Sequence, residues 1–193
     1  HGGQMPDTGG DEADKQDETW VLYDRQVLDD ELFQRWGKFA EGVRIVVLSD
    51  SCHSGSVVRA QLAGLGGTAA GPALRDVYAG GRFMPADANE RDNKSRKAVY
   101  DKVREATPGE SEVPLKARVL LLSGCQDNQT SSDGDRNGLF TAMLREVYKD
   151  GYRGGYRRFL SSIKRKLPPW QSPNYLALND PQRAFNRERP FEI

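Results

Sequence analysis

Two short runs of the chain are apolar almost without interruption. Residues 43–49, VRIVVLS, and 118–124, RVLLLSG, consist mainly of aliphatic, often β-branched side chains. Such runs mark strands buried on both faces, and two of them separated by a long insert predict a parallel sheet with crossover connections. Elsewhere the apolar positions recur at helical spacing. In LDDELFQRWGKF (28–39), Leu32, Phe33 and Trp36 fall on one face behind a leading pair of acids, which predicts a helix with negative charge at its amino end. GLFTAMLREVYKD (138–150) and YRRFLSSIKRKL (156–167) show the same period. WVLYD (20–24) reads as a weak strand.

The remaining stretches are polar. Residues 1–19 are glycine-rich and acidic and read as a surface loop. Residues 59–117 form an insert between the two apolar strands. Its 62–72 part is flexible by composition, and 88–112 is charged and reads as an exposed excursion. The tail from Pro168 carries several prolines and is expected to close with a short strand at 190–193. No internal repeat is present. The chain of 193 residues fits one domain, divided into 1–58, the insert 59–117, and 118–193.

Composition narrows the function classes. Lys plus Arg and Asp plus Glu are balanced at 28 each, so no basic excess points to nucleic acid. The charge is uneven: residues 7–31 are acidic, and basic side chains gather in 136–166. No apolar run approaches the ~18 residues of a membrane span. Two cysteines, Cys52 and Cys125, give no disulfide framework, so a reducing, cytoplasmic setting is expected.

In an open parallel sheet, reactive groups collect where loops leave the carboxyl ends of strands. Cys52 stands three residues past the 43–49 strand, in the polar setting DSCHSGS. A buried core cysteine, the alternative, rarely has such neighbours. A thiol needs a base to become thiolate near neutral pH. His53 adjoins Cys52, and adjacent side chains of an extended segment point to opposite sides. His1, followed by Gly2 and Gly3 that let a substrate approach the backbone, is the better base.

At these residues the chain resembles the metacaspases. The resemblance rests on HGGQ (1–4), GDEADKQDE (10–18), LDDELF (28–33), VVLSDSCHSGS (46–56) and LLSGCQDNQTSSDG (121–134) followed by NGLFTAMLREV. It implies a caspase-like three-layer α/β sandwich with a mostly parallel central sheet. It also implies a cysteine endopeptidase cutting after Arg or Lys. By position, Cys52 matches the nucleophile and His1 the catalytic histidine. Asp50 matches the acid that binds a basic P1 side chain, and Asp127 is expected in the same pocket. Backbone N–H groups at Gly2 and Cys52 would form the oxyanion hole. Asp17, Asp29 and Asp30 match calcium-binding acids, and hard oxygen donors suit that ion. Arg59 stands near the place of a further expected acid, so weak calcium binding at most is expected. The alternative reading of Asp29 and Asp30 is as helix-start charges, and that of Asp50 is as a turn cap.

The resemblance further implies strands, a helix and a Ser-Gly ahead of the histidine. The chain starts at that histidine, which reads as a sequence cut short with its first strands missing. Partners expected are protein or peptide substrates with a basic P1 residue, with self-cleavage in the insert at Arg91–Lys102. A non-catalytic caspase-like interaction scaffold and another thiol chemistry, such as acyl transfer, are the competing readings.

Overall fold

The computed structural model describes residues 1–6, 16–51, 84–109, 112–124 and 138–192. Among them lie two three-stranded sheets. In the first, β1 (Gly2–Pro6), β2 (Gln16–Val21) and β3 (Gln26–Leu28) pair antiparallel in chain order. The second joins β4 (Arg44–Ser49), β5 (Arg118–Ser123) and β6 (Asn174–Leu178). Here β4 and β5 run parallel, Ser49 opposite Ser123, and β6 is antiparallel to β5. The described strands therefore make mixed sheets, with one parallel pair. No helix among the described residues is long and apolar enough to cross a membrane.

The core lies under one face of the second sheet. Val46, Leu120, Leu122, Tyr175 and Ala177 meet two helices, α4 (Leu139–Tyr148) and α5 (Tyr156–Lys164). Their buried side chains follow the helical spacing read from sequence: Phe140 and Leu144 on α4, Tyr156, Phe159, Leu160 and Ile163 on α5. β5 is the central strand and Val119, Leu120 and Leu122 are fully buried. β4 differs from expectation. It stands at an end of the described strand order, its residues are largely half-buried, and Leu48 is 45% exposed. An apolar run reports low polarity, and burial depends on where the strand falls in the sheet.

The first helix, α1 (Asp29–Trp36), forms where the acids predicted it. Glu31 folds back to accept the Leu28 N–H at 3.2 Å and pairs with Arg25 at 2.7 and 2.8 Å. Burial alone would raise the Glu31 carboxyl. The Arg25 and Leu28 hydrogen bonds outweigh it and hold the group below its usual range. The strand expected at 20–24 instead ends at Val21, and Leu22 N–H bonds the Arg25 carbonyl at 3.0 Å in a tight turn to β3.

The largest correction falls in the insert. Residues 88–112 are not an exposed excursion; most belong to two helices, α2 (Ala86–Ser95) and α3 (Lys97–Ala106). Their charges are arranged at i,i+4: Asp87–Arg91, Glu90–Lys94, Asp92–Arg96 and Lys97–Asp101. That spacing is a helix signal that overall polarity hides. The pair docks on the first sheet. Tyr100, 1% exposed, packs with Met5 and Leu28. Gln26 donates through Nε2 to Asn89, Asp92 and Asn93, and its backbone N–H donates to the Tyr100 hydroxyl. The 62–72 stretch lies outside the described residues.

The tail also departs from expectation. Residues 190–192 turn rather than form a strand. Phe191 adopts φ 62° and sets its ring edge-on against Tyr148, Tyr156 and Phe159. Its N–H donates to the Tyr156 hydroxyl at 2.9 Å. Aromatic packing, worth about 0.5–1.5 kcal/mol per pair, offsets a left-handed backbone that Phe rarely adopts.

Burial first, then the Asp92 carboxylate, pushes the Tyr100 phenol up to about 12. The neutral phenol is the form favoured on folding. Its contribution is complete below pH 10.0, the ordinary value, and is lost as pH rises towards about 12. Tyr100→Phe should therefore lower stability by roughly 1–3 kcal/mol at neutral pH. Urea denaturation should show the gap between parent and variant shrinking above pH 10.0.

Candidate active site

β4 and β5 run parallel, so the loops after both leave from one edge. Two contacts tie them there. Gly124 N–H donates to the Ser49 carbonyl at 2.8 Å, and the buried Gln171 side chain donates to the Gly124 carbonyl at 2.8 Å. Ser49 and Ser51 hydroxyls lie 2.9 Å apart.

Asp50 is fixed by a helix start. Gly138 precedes α4 and has no side chain to cap it. Asp50 Oδ2 accepts the Thr141 N–H at 3.0 Å and the Thr141 hydroxyl at 2.6 Å. A carboxylate from 91 residues away thus fills the place of an N-cap side chain. The capping role weighed for Asp50 from sequence is real, but for a distant helix.

His1 enters from the other sheet. Its carbonyl accepts the Val21 N–H at 3.0 Å, which extends the β1–β2 ladder. The same register turns the peptide groups of Gly2 away from β2, and the Gly2 carbonyl accepts the Met84 N–H at 2.7 Å. Gly3 serves packing: any Cβ there would press on Gln26 and on the Thr19 hydroxyl.

A cleft of about 400 Å³ lies between the sheets, and His1, Asp50 and Ser51 all line it. Trp20, Leu48 and Thr141 complete its walls; sequence reasoning did not single them out. Cys52 is the next residue in sequence after Ser51. Cys52, Cys125, Asp127, His53 and Arg59 lie outside the described residues.

The acids read as calcium ligands, Asp17, Asp29 and Asp30, lie at one end of the first sheet. Antiparallel pairing of β2 with β3 sets Thr19 opposite Leu28 and so brings Asp17 to the end of the sheet where Asp29 and Asp30 begin α1. Asp17 Oδ2, however, accepts from Arg104 Nη2 at 2.8 Å and Nε at 3.1 Å. Asp29 Oδ1 accepts the Asp30 N–H at 3.0 Å, a helix-start role. Among the described residues no three His, Cys, Asp or Glu side chains are gathered to hold a metal.

The model of the caspase domain matches residues 1–183. The chain belongs to the caspase-domain family. Metacaspase-1 of Schizosaccharomyces pombe is 34% identical over 189 residues, covering 86% of this chain and 44% of that protein. Metacaspase-1 of Ajellomyces capsulatus is 30% identical over 187 residues, covering 86% and 52%. The chain thus spans about half the length of these curated relatives. The crystal structure of protein GSU0716 from Geobacter sulfurreducens superposes with a TM-score of 0.82 at 44% identity, covering all of this chain and 68% of that one. The metacaspase resemblance read from the motifs is borne out, and the fold is caspase-like. Of the two motifs, His1, Asp50 and Ser51 line the cleft.

Thr141→Val removes one hydrogen bond to Asp50 and leaves the backbone bond in place. We expect it to cost about 0.5–1.5 kcal/mol, read as a lower urea midpoint with unchanged slope.

Proposed function

We propose that this chain is a caspase-like cysteine endopeptidase that cleaves after Arg or Lys. The observation that supports it best is the shared cleft: His1 and Asp50 line one cavity, and the chain next reaches Cys52. In this reading His1 takes the thiol proton, and the Cys52 thiolate attacks the scissile carbonyl. N–H groups of Gly2 and Cys52 would stabilise the oxyanion. His1 then protonates the leaving amine. Water, activated by the same imidazole, hydrolyses the acyl-enzyme and restores the thiol. Asp50, together with Asp127, would receive the basic P1 side chain through charge-assisted hydrogen bonds.

Self-processing in the insert belongs to the same proposal, with its position revised. Arg91, Lys94, Arg96, Lys97 and Lys102 lie on or between α2 and α3, and bonds within docked helices resist proteolysis. Arg75 and Arg82 precede α2 and are the better sites. A cut after Arg82 would leave Met84 still bonded to Gly2.

Cys52→Ala should lower hydrolysis of Arg- or Lys-ended reporter peptides by at least about a thousandfold, while Cys125→Ala stays near the parent rate. Mass spectrometry of both purified proteins should show a nick after Arg75 or Arg82 in the parent alone. Activity within tenfold of the parent would sink the nucleophile. Intact parent protein would sink self-processing, and equal nicking of both would trace it to a foreign protease.

Calcium we read as a weak ligand at most, since it must displace Arg104 from Asp17. Calorimetry should give a dissociation constant weaker than about 1 mM. Submicromolar binding would overturn that reading.

A further inference from the structure

Residues 153–166, RGGYRRFLSSIKRK, hold six basic side chains and no acid. Two of the six are held by other elements: Lys166 pairs with Glu146 at 2.7 Å, and Arg157 lies over the Tyr175 ring at 5.6 Å. Arg153, Arg158 and Arg165 instead line a concavity of about 420 Å³ with Tyr152, Ser161 and Ser162. Among the described residues no carboxylate reaches any of these three guanidinium groups.

The concavity has a fixed floor. Tyr152 packs its ring on Phe159 at 5.1 Å between centroids, and its hydroxyl lies 2.9 Å from that of Ser162. Arg165 folds back along the helix to donate to Ser162 at 2.9 Å. Ser162 in turn donates to the Arg158 carbonyl one turn back, and the side chains of Arg158 and Arg165 both line the hollow. The loop from Tyr152 is pressed onto α5 at Gly154, where a Cβ would lie 2.8 Å from the Tyr152 ring and 3.3 Å from Arg158 Cβ. Loop and helix thereby bring Arg153 to the same hollow.

We propose that this hollow is a binding site for a phosphate-class oxyanion. Guanidinium groups match the tetrahedral oxyanion through paired N–H donors, and three unneutralised ones favour a multiply charged ligand. Ser161 and Ser162 spend their hydroxyl protons on the Arg157 and Arg158 carbonyls, so the guanidinium groups are the donors offered to the ligand. The site shares no residue with the cleft between the sheets, so it does not depend on the peptidase reading.

Calorimetry of the full chain with pyrophosphate and with inorganic phosphate, at fixed ionic strength, tests this. We expect saturable one-site binding that Arg158→Ala weakens at least tenfold and Arg158→Lys weakens less. Lys164→Ala removes the same charge outside the hollow and should change affinity less than threefold. Near-UV circular dichroism like the parent's establishes that each variant is folded. A serine-phosphorylated peptide and its unphosphorylated twin, compared by fluorescence anisotropy, separate a phosphorylated protein segment from a free phosphate compound as the source. No saturable binding by any probe, or equal losses in Arg158→Ala and Lys164→Ala, would overturn the site.

Discussion

A parallel strand pair places both of its carboxyl ends on one edge, and the candidate site depends on that constraint. Ser49 opposite Ser123 fixes where the DSCHSG and SGCQDN segments begin. Antiparallel pairing would send them to opposite ends of the sheet. The bonds from Gly124 to Ser49 and from Gln171 to Gly124 hold the two exits at one height. Asp50 then joins this edge to α4, so the helix that covers the core also orients a side chain of the cleft.

The other half of the cleft comes from a separate sheet with a different kind of support. Beneath the second sheet lies a large apolar cluster that includes four fully buried aromatic or aliphatic helix and tail residues, Phe140, Phe159, Ile163 and Phe185. The first sheet has a small one, of Met5, Leu28 and Tyr100. Its attachment to α2 and α3 is mainly polar, through Gln26, Asn89, Asp92 and the Arg104–Asp17 pair. Hydrogen bonds of this kind contribute little net energy each, but they demand one geometry and leave a costly orphan when broken. They specify how the sheet sits more than they stabilise it.

The legible parts of the sequence are those where one local pattern dominates. The spacing of Phe140 and Leu144, and of Tyr156, Phe159, Leu160 and Ile163, announces two core helices. The acids before Leu32 announce α1. The insert helices were hidden because their i,i+4 ion pairs look like the charge density of a solvated loop. β6, NYLAL, is short and sits in a proline-rich tail, and only its antiparallel pairing with β5 makes it a strand. Within the site, His1 and Asp50 could be read from their motifs. Trp20 and Thr141 could not, because only the tertiary fold brings them to the cleft. The pairing of Asp17 with Arg104 spans 87 residues and leaves no local trace.

These two supports have a consequence for the insert. The imidazole and the β4 edge belong to different sheets, so their separation is set by what braces one sheet against its surroundings. α2 and α3 brace the first sheet from the side of β1. Met84 bonds the Gly2 carbonyl, Asn89 donates to the Gln4 carbonyl, and Arg104 Nη2 to that of Pro6. Three carbonyls of the strand that begins next to His1 are thus held by one segment of the insert. A region with few buried apolar contacts is where local opening is least costly, so these bonds matter more here than under the large core. A chain break before Met84 would leave every one of them in place. A break inside α2 or α3 would release the brace and with it the strand that carries the histidine. Cleavage ahead of the helices is therefore the kind that the architecture can survive.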